Sequence, residues 1–308
     1  MTEINSQKEN KKNQKINRFV AGMILSIITL FLVFVIIFAI GIYGFNWQEN
    51  ITQKVTKIIP YPVVLVNYHF LPIEKYYYNL TTLDKYYKKM NEMGSLSGPM
   101  PDQNEIKQIV IDIMVRNELT TQLAKKYQIK VTKMELDQEL QKVIDRTGGE
   151  EEVASVLSDL YGWRPEDYKV NVLYYYIVRN KLEEKLAYDE NLSANREAKT
   201  KAEKVLSEVK AGKQSFEELA GKYSDDDETA DQGGSLGWFT KGQMVVEFES
   251  AISALKKDEV SGLVRTKYGF HIIKLLDVKG EGDNIQWQAK HILIKTQNID
   301  DYINQKFF

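Results

Sequence analysis

The chain has 308 residues, enough for about two domains, and its 41 Lys and Arg nearly balance 43 Asp and Glu, for a formal net charge of −2. That balance carries no electrostatic footprint for nucleic acid, which is not expected as a partner. The absence of cysteine excludes disulfides, thiolate metal sites, a thiol nucleophile and a lipid-modified cysteine anchor, and leaves the compartment open.

The first eighteen residues are polar and carry Lys8, Lys11, Lys12, Lys15 and Arg18 against Glu3 and Glu9. From Phe19 to Gln48 there is no charged side chain, and Phe19 to Tyr43 is almost wholly apolar. At about 1.5 Å per residue this run is long enough to cross a hydrocarbon core of roughly 30 Å. It is too long for a cleaved signal peptide, and Ile40-Gly41-Ile42-Tyr43 is a poor cleavage site. Residues 1–18 are therefore expected as a cytoplasmic basic tail, 19–45 as a single membrane-spanning helix, and the remainder as an extracytoplasmic body.

Residues 46–60 read as a short connector, 61–70 ("YPVVLVNYHF") as a strand or extended segment, and 74–90 as a tyrosine-rich helix. Gly, Ser and Pro make 94–103 a loop. Apolar spacing predicts a helix over 105–129. Thr132-Lys-Met-Glu135 has the form of a capping box and opens a helix ended by Gly148-Gly149. Another helix carries Val153, Val156, Leu157 and Leu160; Gly162 breaks it, and Pro165 starts the next, which runs to about Ala187. The Tyr174-Tyr175-Tyr176 run within it is either packing surface or a contact for unfolded peptide.

The polar stretch 187–199 marks a boundary: a helical domain over 46–192 and a mixed one over 193–308. In the second, a helix ends near Gly212, Ser215-Phe-Glu-Glu218 caps a short one, and residues 223–239 form an acidic, glycine-rich loop. Phe248, Ala251, Ile252 and Leu255 mark a further helix and Val260–Val264 a strand. The fold class is α+β with a small antiparallel sheet. The segment "HIIKLLDVKGEGDNIQWQAKHIL" places two of the chain's three histidines about one turn. A tight hairpin centred near Glu281 pairs residue 271 with 291, so His271 and His291 share a face.

The stretch "GGSLGWFTKGQM", with "FE" beyond it and then "YGFHIIKL", resembles the parvulin family of peptidyl-prolyl cis/trans isomerases. The preceding helical region is similar, more weakly, to the SurA-like chaperone domain of extracytoplasmic foldases. One departure is evident. "NLSANREA" stands where such a domain opens with a histidine-bearing strand, whereas "AKHILIKT" follows the final strand, at 289–296. The parvulin-like domain, a four-stranded sheet with surrounding helices, is therefore expected to be circularly permuted, with its first strand at 287–296.

The resemblance implies catalysis without covalent chemistry and without a cofactor. It places His271, His291 and Asp226 in the catalytic centre and Leu236, Met244 and Phe248 around the proline ring, with Tyr268 beside them. Its substrates would be unfolded or partly folded exported polypeptides, and its second partner the lipid bilayer through residues 19–45. No metal is expected, since His69 lies far away in sequence and cysteine is absent. The competing function is a holdase chaperone whose parvulin domain is inactive. Read singly, the two histidines could decorate a sheet or mark the start of a truncated second repeat, the three pocket residues could be core, and Asp225-Asp226-Asp227 a solvated loop or a weak calcium site.

Overall fold

A computed structural model describes residues 2–45, 47 and 50–307. Its elements fall into two compact units, Met1–Arg116 with Asp159–Gly162, and Asn117–Ser158 with Trp163–Phe308.

In the first unit, α1 (Thr2–Gly44) contains the apolar run; Met23–Gly44, with mean hydropathy 3.2, is long and apolar enough to cross a membrane, and most of its side chains are exposed. Residues read as a connector instead hold a helix, α2 (Asn50–Ile58), because Thr52 and Thr56, one turn apart, give it an inward face. The extended segment is a hairpin of β1 (Pro62–Val66) and β2 (His69–Pro72), whose turn residues Asn67 and Tyr68 both have positive φ. The tyrosine-rich helix is α3 (Ile73–Glu92).

Helix α4 (Gln103–Lys126) follows, capped by the Asp102 carboxylate on the amides of Asn104 and Glu105. The capping box at Thr132 opens α5 (Lys133–Thr147), which ends on Gly148 at φ 107°. Then come α6 (Glu150–Tyr161), α7 (Pro165–Tyr168), a π-helical turn (Lys169–Leu173) and α8 (Tyr174–Tyr188). The last three form the continuous helical run anticipated from Pro165.

The sheet of the second unit is built after α9 (Ser193–Ala211) and α10 (Phe216–Tyr223). Its strands are β3 (Ser235–Thr240), β4 (Val264–Thr266), β5 (Gly269–Lys279) and β6 (Gln286–Lys295), all antiparallel in the order β3-β6-β5-β4, with α11 (Val246–Ser253) between β3 and β4. Two expectations change here. The supposed loop over 223–239 ends in an edge strand, β3, and Gly233-Gly234 before it and Gly237 within it hid its pairing with β6. The strand expected at Val260–Val264 begins only at Val264, and Val260 makes a single bridge to Lys274. A helix not anticipated, α12 (Ile299–Phe307), follows β6, with the Asn298 side chain accepting from the Asp301 amide at its start.

Both faces of the sheet are covered. Phe270, Ile272, Ile292 and Ile294 point to the side packed by α9 and α10, whereas Ile273, Leu275 and Ala289 face Phe248 and Ile252 of α11. Period-2 alternation inside two doubly buried strands explains why they read as continuous apolar runs broken only by single polar residues. His271 and His291 stand at such breaks, on the α11 face.

The hairpin register differs from the simple expectation. The β5–β6 turn is a 3-10 turn at Gly282–Asn284, later than Glu281, and a bulge lies between Leu275 and Asp277. His271 consequently pairs with Leu293, and His291 with Ile273. The histidines are diagonal neighbours rather than directly opposed, a separation that imidazole rings span easily.

Candidate active site

The diagonal placement brings the two imidazoles into contact, with His271 Nδ1 3.2 Å from His291 Nδ1 and ring centroids 5.4 Å apart. On the far side of His291, its Nε2 lies 2.8 Å from Asp226 Oδ2. On the far side of His271, its Nε2 lies 2.9 Å from the Thr266 hydroxyl. Thr229 donates its hydroxyl proton to Asp226 Oδ2 at 2.5 Å, and the Tyr268 amide donates to Thr266 Oγ1 at 3.1 Å. Five side chains therefore form one chain: Thr266, His271, His291, Asp226 and Thr229.

The proton positions follow by elimination. An ionised carboxylate only accepts, so His291 donates from Nε2 and its neutral ring accepts at Nδ1. His271 must then donate from Nδ1 and accept at Nε2, which is where the Thr266 hydroxyl arrives.

Ionisation states agree with this order. Burial drives the His271 pKa down to about 3, and repulsion from His291 adds to that against the opposing pull of Asp226. Burial also lowers His291, partly offset by its hydrogen bond to Asp226. Burial would raise the Asp226 carboxyl, but hydrogen bonds from Thr229 and His291 hold it below its ordinary value. Near neutral pH the site is two uncharged imidazoles beside one carboxylate.

The backbone fixes this constellation from several directions. The Asp225 amide donates to the Leu293 carbonyl at 2.7 Å, and the Lys295 amide to the Asp225 carboxylate at 2.9 Å. Ser224 Oγ accepts from the Leu293 amide at 3.1 Å. Residues 224–225 thus occupy the free edge of β6 beyond the end of β3, which sets Asp226 beside His291. Gly234 accepts from the His291 amide at 2.8 Å; its φ is +75°, and a Cβ there would stand 2.1 Å from the His291 carbonyl oxygen.

The apolar residues lie on the same face. The Phe248 ring meets both imidazoles edge-on, with centroids 5.5 Å from His271 and 6.0 Å from His291. Leu236 and Met244 are half-buried and pack against the cluster that holds Phe248. Glu249 orients the approach to Met244, since one of its carboxylate oxygens accepts from the amides of both Gly242 and Met244. Tyr268 is half exposed on the β4–β5 turn and takes part in the hydrogen-bonded chain through its amide. His69 belongs to β2 of the first unit.

Sequence reasoning passed over Thr229, Thr266 and Glu249. Thr229 carried a signal in its spacing, one turn after Asp226. Thr266 sits opposite Gly269 at the base of the β4–β5 turn, where a fully buried hydroxyl needs a partner. Glu249 stands in the "FE" pair of the resemblance, and only the structure shows what its carboxylate binds.

Residues 183–277 match the family described as PPIC-type PPIase domain. The chain carries a parvulin-type peptidyl-prolyl isomerase domain. Residues 13–146 match the SurA-like N-terminal domain. The isomerase match ends at Asp277, so β6 and His291 lie beyond it. Foldase protein PrsA 1 of Bacillus cereus is 46% identical over 101 residues, 32% of this chain and 35% of that protein. Foldase protein PrsA of Staphylococcus epidermidis is 36% identical over 192 residues, 53% of this chain and 58% of that protein. Chaperone SurA of Nitrosococcus oceani is 41% identical over 105 residues, 33% of this chain and 24% of that protein. In each case the chain spans less than two thirds of its relative's length.

Proposed function

We propose that the protein is a membrane-anchored foldase that accelerates cis/trans isomerisation of X–Pro bonds in unfolded or partly folded exported polypeptides. The observation that carries this reading is the chain from Thr266 through both histidines to Asp226, closed over by Phe248. Residues 1–18 form its cytoplasmic tail, 19–45 its single span, 46–192 a helical chaperone-like domain, and 193–308 the isomerase domain outside the cytoplasm. In that domain β6 takes the place of the usual first strand, delivered from the far end as in a circular permutation.

The chemistry needs no bond made or broken. Amide resonance holds the peptide planar behind a barrier of about 18–20 kcal/mol, and X–Pro bonds cross it in tens to hundreds of seconds. A site accelerates the rotation by binding the twisted amide more tightly than the planar one. Leu236, Met244 and Phe248 hold the proline ring and exclude water. Asp226 disfavours the planar form, whose resonance places negative charge on the carbonyl oxygen, and the twisted amide relieves that charge. The neutral imidazoles of His271 and His291 fix the carboxylate's position without neutralising it. Tyr268 lines the entrance.

The test is an isomerisation assay with a short proline peptide on residues 50–308. Catalysis that falls at least tenfold in Met244→Ala supports the reading. No catalysis in the unaltered protein, with suppression of client aggregation retained, would replace it with the holdase function.

A further inference from the structure

The first unit ties the outer part of α1 to the elements that follow it. Tyr61 donates its hydroxyl to the Val35 carbonyl at 2.9 Å, and Tyr43 donates to the Pro62 carbonyl. Ile42, Tyr61 and Ile73 form a buried core, with Val35 and Phe38 packed against it. The start of β1 therefore runs alongside the last turns of the apolar helix. Val35 lies nine residues before Gly44, about 14 Å along the axis at 1.5 Å per residue. Were Met23–Gly44 the crossing segment, the hairpin would enter nearly to the middle of a core roughly 30 Å thick. A two-stranded sheet with unpaired edges is not stable there, because hydrocarbon leaves its backbone groups unsatisfied.

The hairpin's surface points the same way. Val66 and Leu71 are buried against the protein, while Leu65 and Phe70, opposed on the other face, are 55% and 67% exposed. Tyr68 at the tip is 94% exposed. A short hairpin apolar on both faces needs a second apolar surface. Aromatic side chains beside the end of a spanning helix, with Lys54 and Lys57 exposed on α2, suit the boundary between headgroups and acyl chains.

Resting on the reading that α1 crosses a membrane, we propose that the β1–β2 hairpin and the outer turns of α1 dock together on the bilayer, with Leu65, Tyr68 and Phe70 in the headgroup region of the leaflet facing the body. The hydrocarbon core is then crossed from about Phe19 to Phe38, some twenty residues, and not as far as Gly44. The hairpin meets lipid, and the first unit is held against the membrane surface instead of swinging on a tether.

The absence of native cysteine allows a direct test. Full-length Leu65→Cys and Phe70→Cys proteins, labelled with an environment-sensitive dye, are placed in vesicles of phosphatidylcholine and phosphatidylglycerol. Nitroxide lipids labelled near the headgroup or near the chain end report depth, and iodide reports access from water. Phe31→Cys serves as the mid-span reference and exposed Met134→Cys as the aqueous one. The expected result is strong quenching of the residue 65 and 70 labels by the shallow nitroxide, with iodide quenching several-fold weaker than at residue 134. Iodide quenching equal to that at 134, with the residue 31 label quenched from the chain end, overturns the docking while leaving the span intact. A residue 31 label insensitive to both nitroxides removes the span itself. Shielding at 65 and 70 that arises only when an unfolded polypeptide is added makes the face a peptide site and also overturns the proposal.

Discussion

Replacing Thr266 by valine separates hydrogen bonding from shape at the buried end of the site. The side chain is fully buried; its hydroxyl reaches His271 Nε2 at 2.9 Å and accepts the Tyr268 amide at 3.1 Å. Valine fills nearly the same volume, so no cavity adds to the effect. It leaves His271 Nε2 without a donor and the Tyr268 amide without an acceptor, each costing about 1–3 kcal/mol when buried. The β4–β5 turn lets the amide recover water in part, so a loss of about 2–4 kcal/mol is expected from denaturant unfolding. Thr266→Ser, which keeps the hydroxyl and removes one methyl, should lose about 1 kcal/mol. Nitrogen chemical shifts supply an independent readout: the unaltered protein should show His271 protonated at Nδ1 and His291 at Nε2, an order set from Asp226 that should persist in Thr266→Val. A valine variant within 0.5 kcal/mol (roughly the size of an ordinary surface substitution), or a His271 protonated at Nε2 in the unaltered protein, would refute the proton order described above.

Two further predictions follow from the same geometry. Because burial lowers the pKa of both histidines in the folded state, the unfolded chain binds more protons below about pH 6.5. Stability should be fully present above that pH and fall toward pH 3, by a few kcal/mol in denaturant titrations, and a pH-independent midpoint across that window would contradict the buried neutral pair. Gly234→Ala places a methyl group against the His291 carbonyl at a positive φ, and should cost about 3 kcal/mol or more and loosen β3 from β6; hydrogen exchange at the His291 amide reads this directly, and unchanged protection there would count against the close approach.

Much of this architecture was legible in sequence because local rules and tertiary packing agreed. The capping boxes at Thr132 and Ser215 formed as written, and Gly148 and Gly212 end their helices in the left-handed region. Single histidines inside two apolar runs marked the face carrying the site. Register was less legible, since one bulged residue and a displaced turn shift every partner, and neither leaves a strong mark in composition. β3 was hidden because a short edge strand that follows Gly233-Gly234 and contains Gly237 reads as loop until its partner is known, and that partner lies some fifty residues later. α2 is short and depends on contacts around Tyr61 and Val55 more than on its own propensity. Thr229 and Thr266 are small hydroxyl residues whose importance lies wholly in what they touch.

The central claim is that β6 brings His291 between His271 and Asp226 and so completes a prolyl isomerase site. The most direct measurement is cis/trans exchange of a proline peptide by NMR in the presence of residues 50–308, compared with Asp226→Asn and His291→Ala. The account predicts catalysed exchange in the unaltered protein, reduced at least tenfold in both variants, with Asp226→Asn retaining its folded spectrum because the carboxylate is partly solvent-exposed. Exchange that proceeds equally fast with either variant would contradict it.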